Sequence, residues 1–186
     1  MKQLADDVHQ LRGFPPNAIN VYLVGDVLID AATRRAGRRI LGELSGRTVS
    51  THALTHAHPD HQGASHEVCE QLRIPLWCGE HDAAAVETGD VVAVGGLNSL
   101  IGRMWAGPAH PVARRLREGD DVAGFTVLDT PGHSPGHVSY WRESDRTLIC
   151  GDVLFGLHPL TGIPGPHEPP AQFTSDVRRN RESIRR

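Results

Sequence analysis

The chain reads as an α/β domain, and three features carry that reading. Short apolar runs of strand length alternate with segments of helical periodicity. Gly, Pro and Asp punctuate the joins between them. A length of 186 residues with 39% hydrophobic content is enough to bury one sizeable core, so a single domain over residues 1–186 is expected. No internal repeat of short period is visible.

The elements follow in order along the chain. Residues 19–30, "INVYLVGDVLID", read as two short strands around Gly25-Asp26, a pair that favours hairpin turns. "TRRAGRRILGEL" at 33–44 reads as a helix with Ile40, Leu41 and Leu44 on one side. Val49 to Leu54 is a strand, and a polar loop, a helix at 64–72, a strand at 74–78 and a short helix in "EHDAAAVE" come after it. Strands recur at 122–129, 137–142 and 146–150, the last two joined by the polar turn "ESDR", and a helix is expected near residue 175.

Two segments interrupt this pattern. "LNSLIGRMW" at 97–105 sets Leu97, Leu100, Ile101, Met104 and Trp105 at i, i+3, i+4, i+7 and i+8, an apolar helix face that serves either the core or a flap over an acyl or alkyl group. "FGLHPLTGIPGPHEPP" at 155–170 holds five Pro and three Gly and is expected to form a structured rim loop, with His158 and His167 as its candidate substrate contacts.

The chemistry concentrates in the loop "LTHAHPDHQG", residues 54–63, which places His56, His58, Asp60 and His61 within six positions. A strand-to-helix loop can turn all four groups inward, and imidazole with carboxylate suits Zn²⁺ first and Fe or Mn next. Farther on, "DTPGHSPGH" puts His133 after the strand Phe125 to Leu128, and "RTLICGDVLFG" puts Asp152 after another.

HxHxDH, a His in a PGH-type turn and an Asp after a strand occur here in that order, and the chain thereby resembles the metallo-β-lactamase-fold hydrolases of glyoxalase II and lactonase type. The resemblance runs from the strands at Ile19 to the helix near residue 175. It implies an αββα sandwich of two mixed β-sheets flanked by helices. It also implies a first metal ion on His56, His58 and His133, a second on Asp60 and His61, and Asp152 as the bridge. The family's last His, from a turn after a final helix and strand, has no counterpart, because His158 and His167 lie too close to Asp152. A C-terminally truncated chain lacking its final strand, with an open sheet edge and a tendency to form a homodimer, is therefore expected.

The expected function is that of a metal-dependent hydrolase of a small ester, thioester or lactone, which needs no Ser or Cys nucleophile because two Zn²⁺ ions would supply a hydroxide near neutral pH. Asp60 is the expected catalytic residue, orienting that nucleophile. A mononuclear iron persulfide dioxygenase and a metal-poor, non-catalytic binding form are the alternatives. The missing export signal argues against β-lactam hydrolysis, and the size leaves no room for the inserted domain of the nuclease members.

A net charge of −3 and a pI near 6.4 give no field for nucleic acid or an anionic membrane. The basic stretch "RRNRESIRR" fits the solvated face of a helix. No apolar stretch reaches 18 residues, the start "MKQLADDVHQLRG" is too polar for a secretory signal, and three cysteines without a CxxC fit a reducing compartment, so a cytoplasmic location is expected. Cys150 reads as a buried strand residue, His52 as a structural His and His137 as strand-initial, outside the direct ligands. His9, His66, His81 and His110 have no partner at ligand spacing and receive no role.

Overall fold

In the computed structural model, residues 1–13, 16–90, 98–158 and 161–186 are described, with the backbone alone at 98–101. Leu97 and the side chains of Leu100 and Ile101, part of the apolar face read from the sequence, lie outside the described residues.

A seven-stranded sheet takes its strands in chain order: β1 (Lys2–Ala5), β2 (Val8–Gln10), β3 (Tyr22–Val24), β4 (Val27–Ile29), β5 (Thr51–Ala53), β6 (Leu76–Gly79) and β7 (Val112–Leu116). The first four pair antiparallel, and β4 to β7 run parallel. Crossovers between the parallel strands carry α1 (Gly37–Leu44), then α2 (Pro59–Gln62) and α3 (Ser65–Leu72), then α4 (Ala83–Thr88) and α5 (Asn98–Trp105). The second sheet has the order β11-β10-β9-β8, from β8 (Asp121–Val122), β9 (Phe125–Asp129), β10 (Val138–Arg142) and β11 (Thr147–Ile149). All of its pairings are antiparallel, which corrects the expectation that both sheets are mixed. The reason is connection length, because short turns such as 143–146 can only reverse the chain.

The alternation of side chains along the first sheet makes two hydrophobic layers. Leu23, Leu28, Leu54 and Leu76 face Ile40 and Leu44 of α1 and Val68 and Cys69 of α3. Val24, Ile29 and Ala53 face the other way, toward Phe125, Val127, Val138 and Tyr140 of the second sheet. Each large side chain so buried contributes roughly 1.5–3 kcal/mol. Tyr140 also donates its hydroxyl to the Leu54 carbonyl at 2.6 Å, fixing the second sheet to the strand end that opens the His-rich loop.

The segment at 155–170 forms a hairpin, β12 (Phe155–Leu157) with β13 (Pro164–His167), in place of a plain loop. The last helix is α6 (Val177–Arg185), capped by the Asp176 side chain, which accepts from the Arg179 N–H at 2.9 Å. Among the described residues no helix is long and apolar enough to cross a membrane.

Candidate metal centre

The parallel strand β5 delivers the first loop, and helix α2 turns it. His58 is the extended residue before α2, Pro59 takes its first position, where a missing N–H costs nothing, and Asp60 and His61 follow within the turn. The turn between β9 and β10 brings in His133, and a 3₁₀ turn after β11, Gly151–Val153, brings in Asp152.

Two glycines make those turns possible. Gly132 has φ +133°, and a Cβ on it would stand 2.2 Å from the Asn180 backbone nitrogen of α6. Gly151 has φ +55°, and a Cβ there would stand 2.7 Å from His137 Nε2. An L side chain is disfavoured by the backbone conformation at both and lacks space at both.

The residues singled out by the sequence meet in two overlapping groups, His56 with His58 and His133, and His56 with His61 and Asp152, whose candidate ligand atoms lie within 4.8 Å of one another. His58 Nδ1 is 2.9 Å from His133 Nε2. Asp152 stands between the groups, with Oδ1 3.4 Å from His61 Nε2 and Oδ2 3.5 Å from His133 Nε2. Asp60 stands at the margin, in neither group, with Oδ2 3.9 Å from His61 Nε2.

The site's own atoms fit a divalent cation. Bonds of about 2.0–2.1 Å in a tetrahedral site separate neighbouring ligands by about 3.3 Å, close to the observed spacings. Two imidazole nitrogens facing each other at 2.9 Å have lone pairs to share and at most one proton between them. His56 Nε2 is buried without any hydrogen-bond partner, the state of a ligand atom awaiting its ion. Burial, the largest influence, pushes His56 well below its ordinary pKa, His58 down to about 3 and His133 down to about 4, so all three rings are neutral, as ligation requires.

His61 and Asp152 behave differently. Burial alone would lower His61, but Asp152, Asp30 and Asp60 outweigh it and hold the ring well above its usual range. Burial opposes ionisation of Asp152, yet His61, His133 and His137 keep its carboxyl well below the ordinary carboxylate value.

Sequence reading missed the groups that aim these ligands. Asp30, at the end of β4 with φ +60°, accepts the His61 Nδ1 proton at 2.8 Å, which turns Nε2 toward Asp152. It also accepts from the Thr55 N–H at 2.8 Å and from Thr55 Oγ1 at 2.9 Å. With its one proton given to Asp30, Thr55 Oγ1 can only accept from His56 Nδ1, 3.0 Å away, which leaves His56 Nε2 free. One carboxylate thus sets the tautomer of two rings. Asp82 joins the two ligand loops, accepting from the Ala57 N–H at 3.0 Å, the Ser134 hydroxyl at 2.6 Å and the Gly136 N–H at 2.6 Å. Neither aspartate has a motif signal, because their partners lie 25 to 54 residues away.

His137, one residue before β10, stays outside both groups: Nε2 accepts the Asp152 N–H at 3.0 Å and Nδ1 meets Thr130 Oγ1 at 2.9 Å. His52 is satisfied by the Leu28 carbonyl at 3.0 Å and Ser65 Oγ at 2.8 Å, as a structural His should be. Cys150 is half-buried just past β11, and its thiol donates to the Gly151 carbonyl at 3.4 Å. On the rim, His167 Nε2 meets the Ile163 carbonyl at 3.1 Å and its ring stacks edge-on to His158 with 5.3 Å between centroids.

Two packed sheets with a His- and Asp-lined centre at the strand ends define a protein built around a candidate metal centre. Residues 14–186 match the family model of the metallo-beta-lactamase superfamily, and the chain belongs to that superfamily. It is 26% identical over 212 aligned positions to the probable metallo-hydrolase YflN of Bacillus subtilis, covering 98% of this chain and 79% of that one. It is 31% identical over 108 residues to a hydroxyacylglutathione hydrolase of Bdellovibrio bacteriovorus, covering 56% of this chain but 34% of the relative. Among solved structures, TTHA1623 in a di-iron-bound form superposes with a TM-score of 0.70 at 31% identity, covering 96% of this chain and 84% of that one. The fold is the metallo-β-lactamase fold.

Proposed function

We propose that the protein hydrolyses a small ester, thioester or lactone at a two-metal centre, with His56, His58 and His133 holding one ion, Asp60 and His61 the other, and Asp152 shared. The convergence of His56, His58 and His133 into one buried cluster carries this reading. Superfamily membership and the similarity to a hydroxyacylglutathione hydrolase support hydrolysis of a carbonyl compound. Bound divalent ions supply an activated water and polarise the scissile carbonyl, so no Ser or Cys nucleophile is needed.

The chain's own residues do the positioning. His56, His58 and His133 offer neutral rings, and Thr55 fixes the direction of His56. Asp152 offers one oxygen to each side of the centre and offsets positive charge there. Asp60, with its side chain 30% exposed, would hold the second ion and orient the attacking water. Asp30 and Asp82 hold the rings and loops against the reorganisation that would otherwise accompany charge development. Zinc is the first expectation for this donor set, and the di-iron form of TTHA1623 supports iron as the second. The three free thiols, Cys69, Cys78 and Cys150, suit a reducing, cytoplasmic setting.

Elemental mass spectrometry of the purified chain, followed by a panel of thioesters and lactones before and after chelation, tests the proposal. Close to two zinc or iron per chain, with chelator-sensitive hydrolysis, is the expected result. Hydrolysis that survives complete metal removal would overturn it.

A further inference from the structure

A second cluster of ligand-type side chains lies outside the centre, where sequence spacing gave no role to His66 or His110. His66 and Glu70 sit one helical turn apart on α3, so their side chains share a face. His110, just before β7 and 8% exposed, is brought against that face by the chain's path. One ligand atom from each of the three lies within 4.8 Å of the others. This corrects the sequence reading, which had no means of bringing residues 66 and 110 together.

The geometry points to a peripheral site for a borderline divalent cation, zinc first, held by His66, Glu70 and His110 with its remaining position open to water. The two Nδ1 atoms are 3.3 Å apart, the ligand separation that a tetrahedral zinc site with bonds of about 2.0–2.1 Å requires. Glu70 Oε1 is 3.9 Å from His110 Nδ1, and its side chain is 63% exposed, free to swing the remaining distance. The Ala109 carbonyl, 3.1 Å from His66 Nδ1, accepts that ring's proton in the metal-free chain. On binding, the proton moves to Nε2 and the lone pair of Nδ1 turns to the ion, leaving the carbonyl as one more oxygen nearby. Burial and the neighbouring His66 both lower the pKa of His110, which favours the neutral ring that a ligand must be.

The scaffold under this cluster is closely packed. Val68 and Cys69 anchor the opposite face of α3 in the core, and the His110 N–H donates to the Val86 carbonyl of α4 at 3.1 Å. At Gly89 a Cβ would come within 3.1 Å of the Ala109 nitrogen, so the 107–110 segment is laid tightly on α4. A cation there would staple α3 to the segment that leads out of α5.

Zinc titration into the chain already loaded at its main centre, followed by equilibrium dialysis and thermal melting, tests the site. The parent chain should take up one further zinc with a rise in Tm. His66→Ala should lose both, and Glu70→Ala, at an exposed helix position that should not disturb folding, should weaken the uptake by about tenfold or more. Both variants should keep the parent's main-centre metal count and hydrolysis. A parent chain that takes up no further zinc, or a Glu70→Ala chain that binds it as the parent does, would overturn the inference, whatever becomes of His66→Ala.

Discussion

The two sides of the main centre are built differently. On one side His56, His58 and His133 are at most 6% exposed, and burial keeps the three rings neutral. On the other, Asp60 and Asp152 keep side chains 30% and 18% exposed, and three carboxylates hold His61 well above its ordinary pKa. The three-His side has no proton to give up before an ion arrives. The carboxylate side must exchange a His proton for a metal ion and rely on solvent for part of its coordination. We therefore expect the two sides to differ in affinity while sharing one bridge.

The largest effects should come from removing that bridge or a buried ring. His58→Ala and Asp152→Ala should each lower kcat/KM by roughly 10²-fold or more, and the double variant should be little worse than either, because the ligands act as a unit. Steady-state hydrolysis checks this, and near-parent activity in either single variant would break the proposed division of the centre.

Asp30→Ala should weaken metal affinity by about 10–100-fold on both sides, since Asp30 sets His61 directly and His56 through Thr55. A loss confined to one side, read by competition with a chelator, would mean the Thr55 relay does not operate. Under limiting metal, the three-His side should fill first, giving chains with one ion before chains with two. Native mass spectrometry distinguishes this from paired filling.

Acid provides a milder probe. His52, His58 and His133 have folded pKa values lowered to about 4, 3 and 4, below the ordinary value of about 6.5. The unfolded chain therefore binds more protons as pH falls below about 6.5, and the metal-free protein should lose stability steadily until the folded pKa values are reached. His61 runs the other way: its raised pKa stabilises fully below about 6.5 and fades as pH rises through the folded value. Denaturant midpoints between pH 7 and 4.5 should fall, and a flat profile would contradict neutral burial. The smallest effect should come from the rim, where His167→Ala should shift substrate preference by about threefold or less while leaving metal content alone.

Much of the fold was legible because hydrophobic periodicity and turn chemistry agreed. The hairpin at Gly25-Asp26, the helix ending at Leu44, and strands β9 to β11 stand where the pattern put them. The first hairpin escaped notice because β1 is an exposed edge strand whose polar "KQLA" shows no clean alternation. Strand β7 escaped because its outward positions are Ala113 and Arg115 and its intermediate ones include Arg114, the side chain that covers Trp77 with its guanidinium 4.9 Å from the ring. The convergence of His56, His58, His61, His133 and Asp152 was legible through the family resemblance that the order of their motifs carries. Their supports, Asp30, Thr55 and Asp82, were not, since a carboxylate that serves residues far along the chain leaves no local mark.

Helix α6 closes both ligand turns at once. The Ser175 and Asp176 N–H groups donate to the carbonyls of His133 and Gly132, the Asn180 side chain donates to the Val153 carbonyl, and the Ser183 hydroxyl donates to that of Pro131. A chain cut after Thr174 would retain every strand of both sheets yet release the turns that carry His133 and Asp152. Chemistry and folding would part company at that cut, with a protein that still melts cooperatively and no longer gathers its ligands.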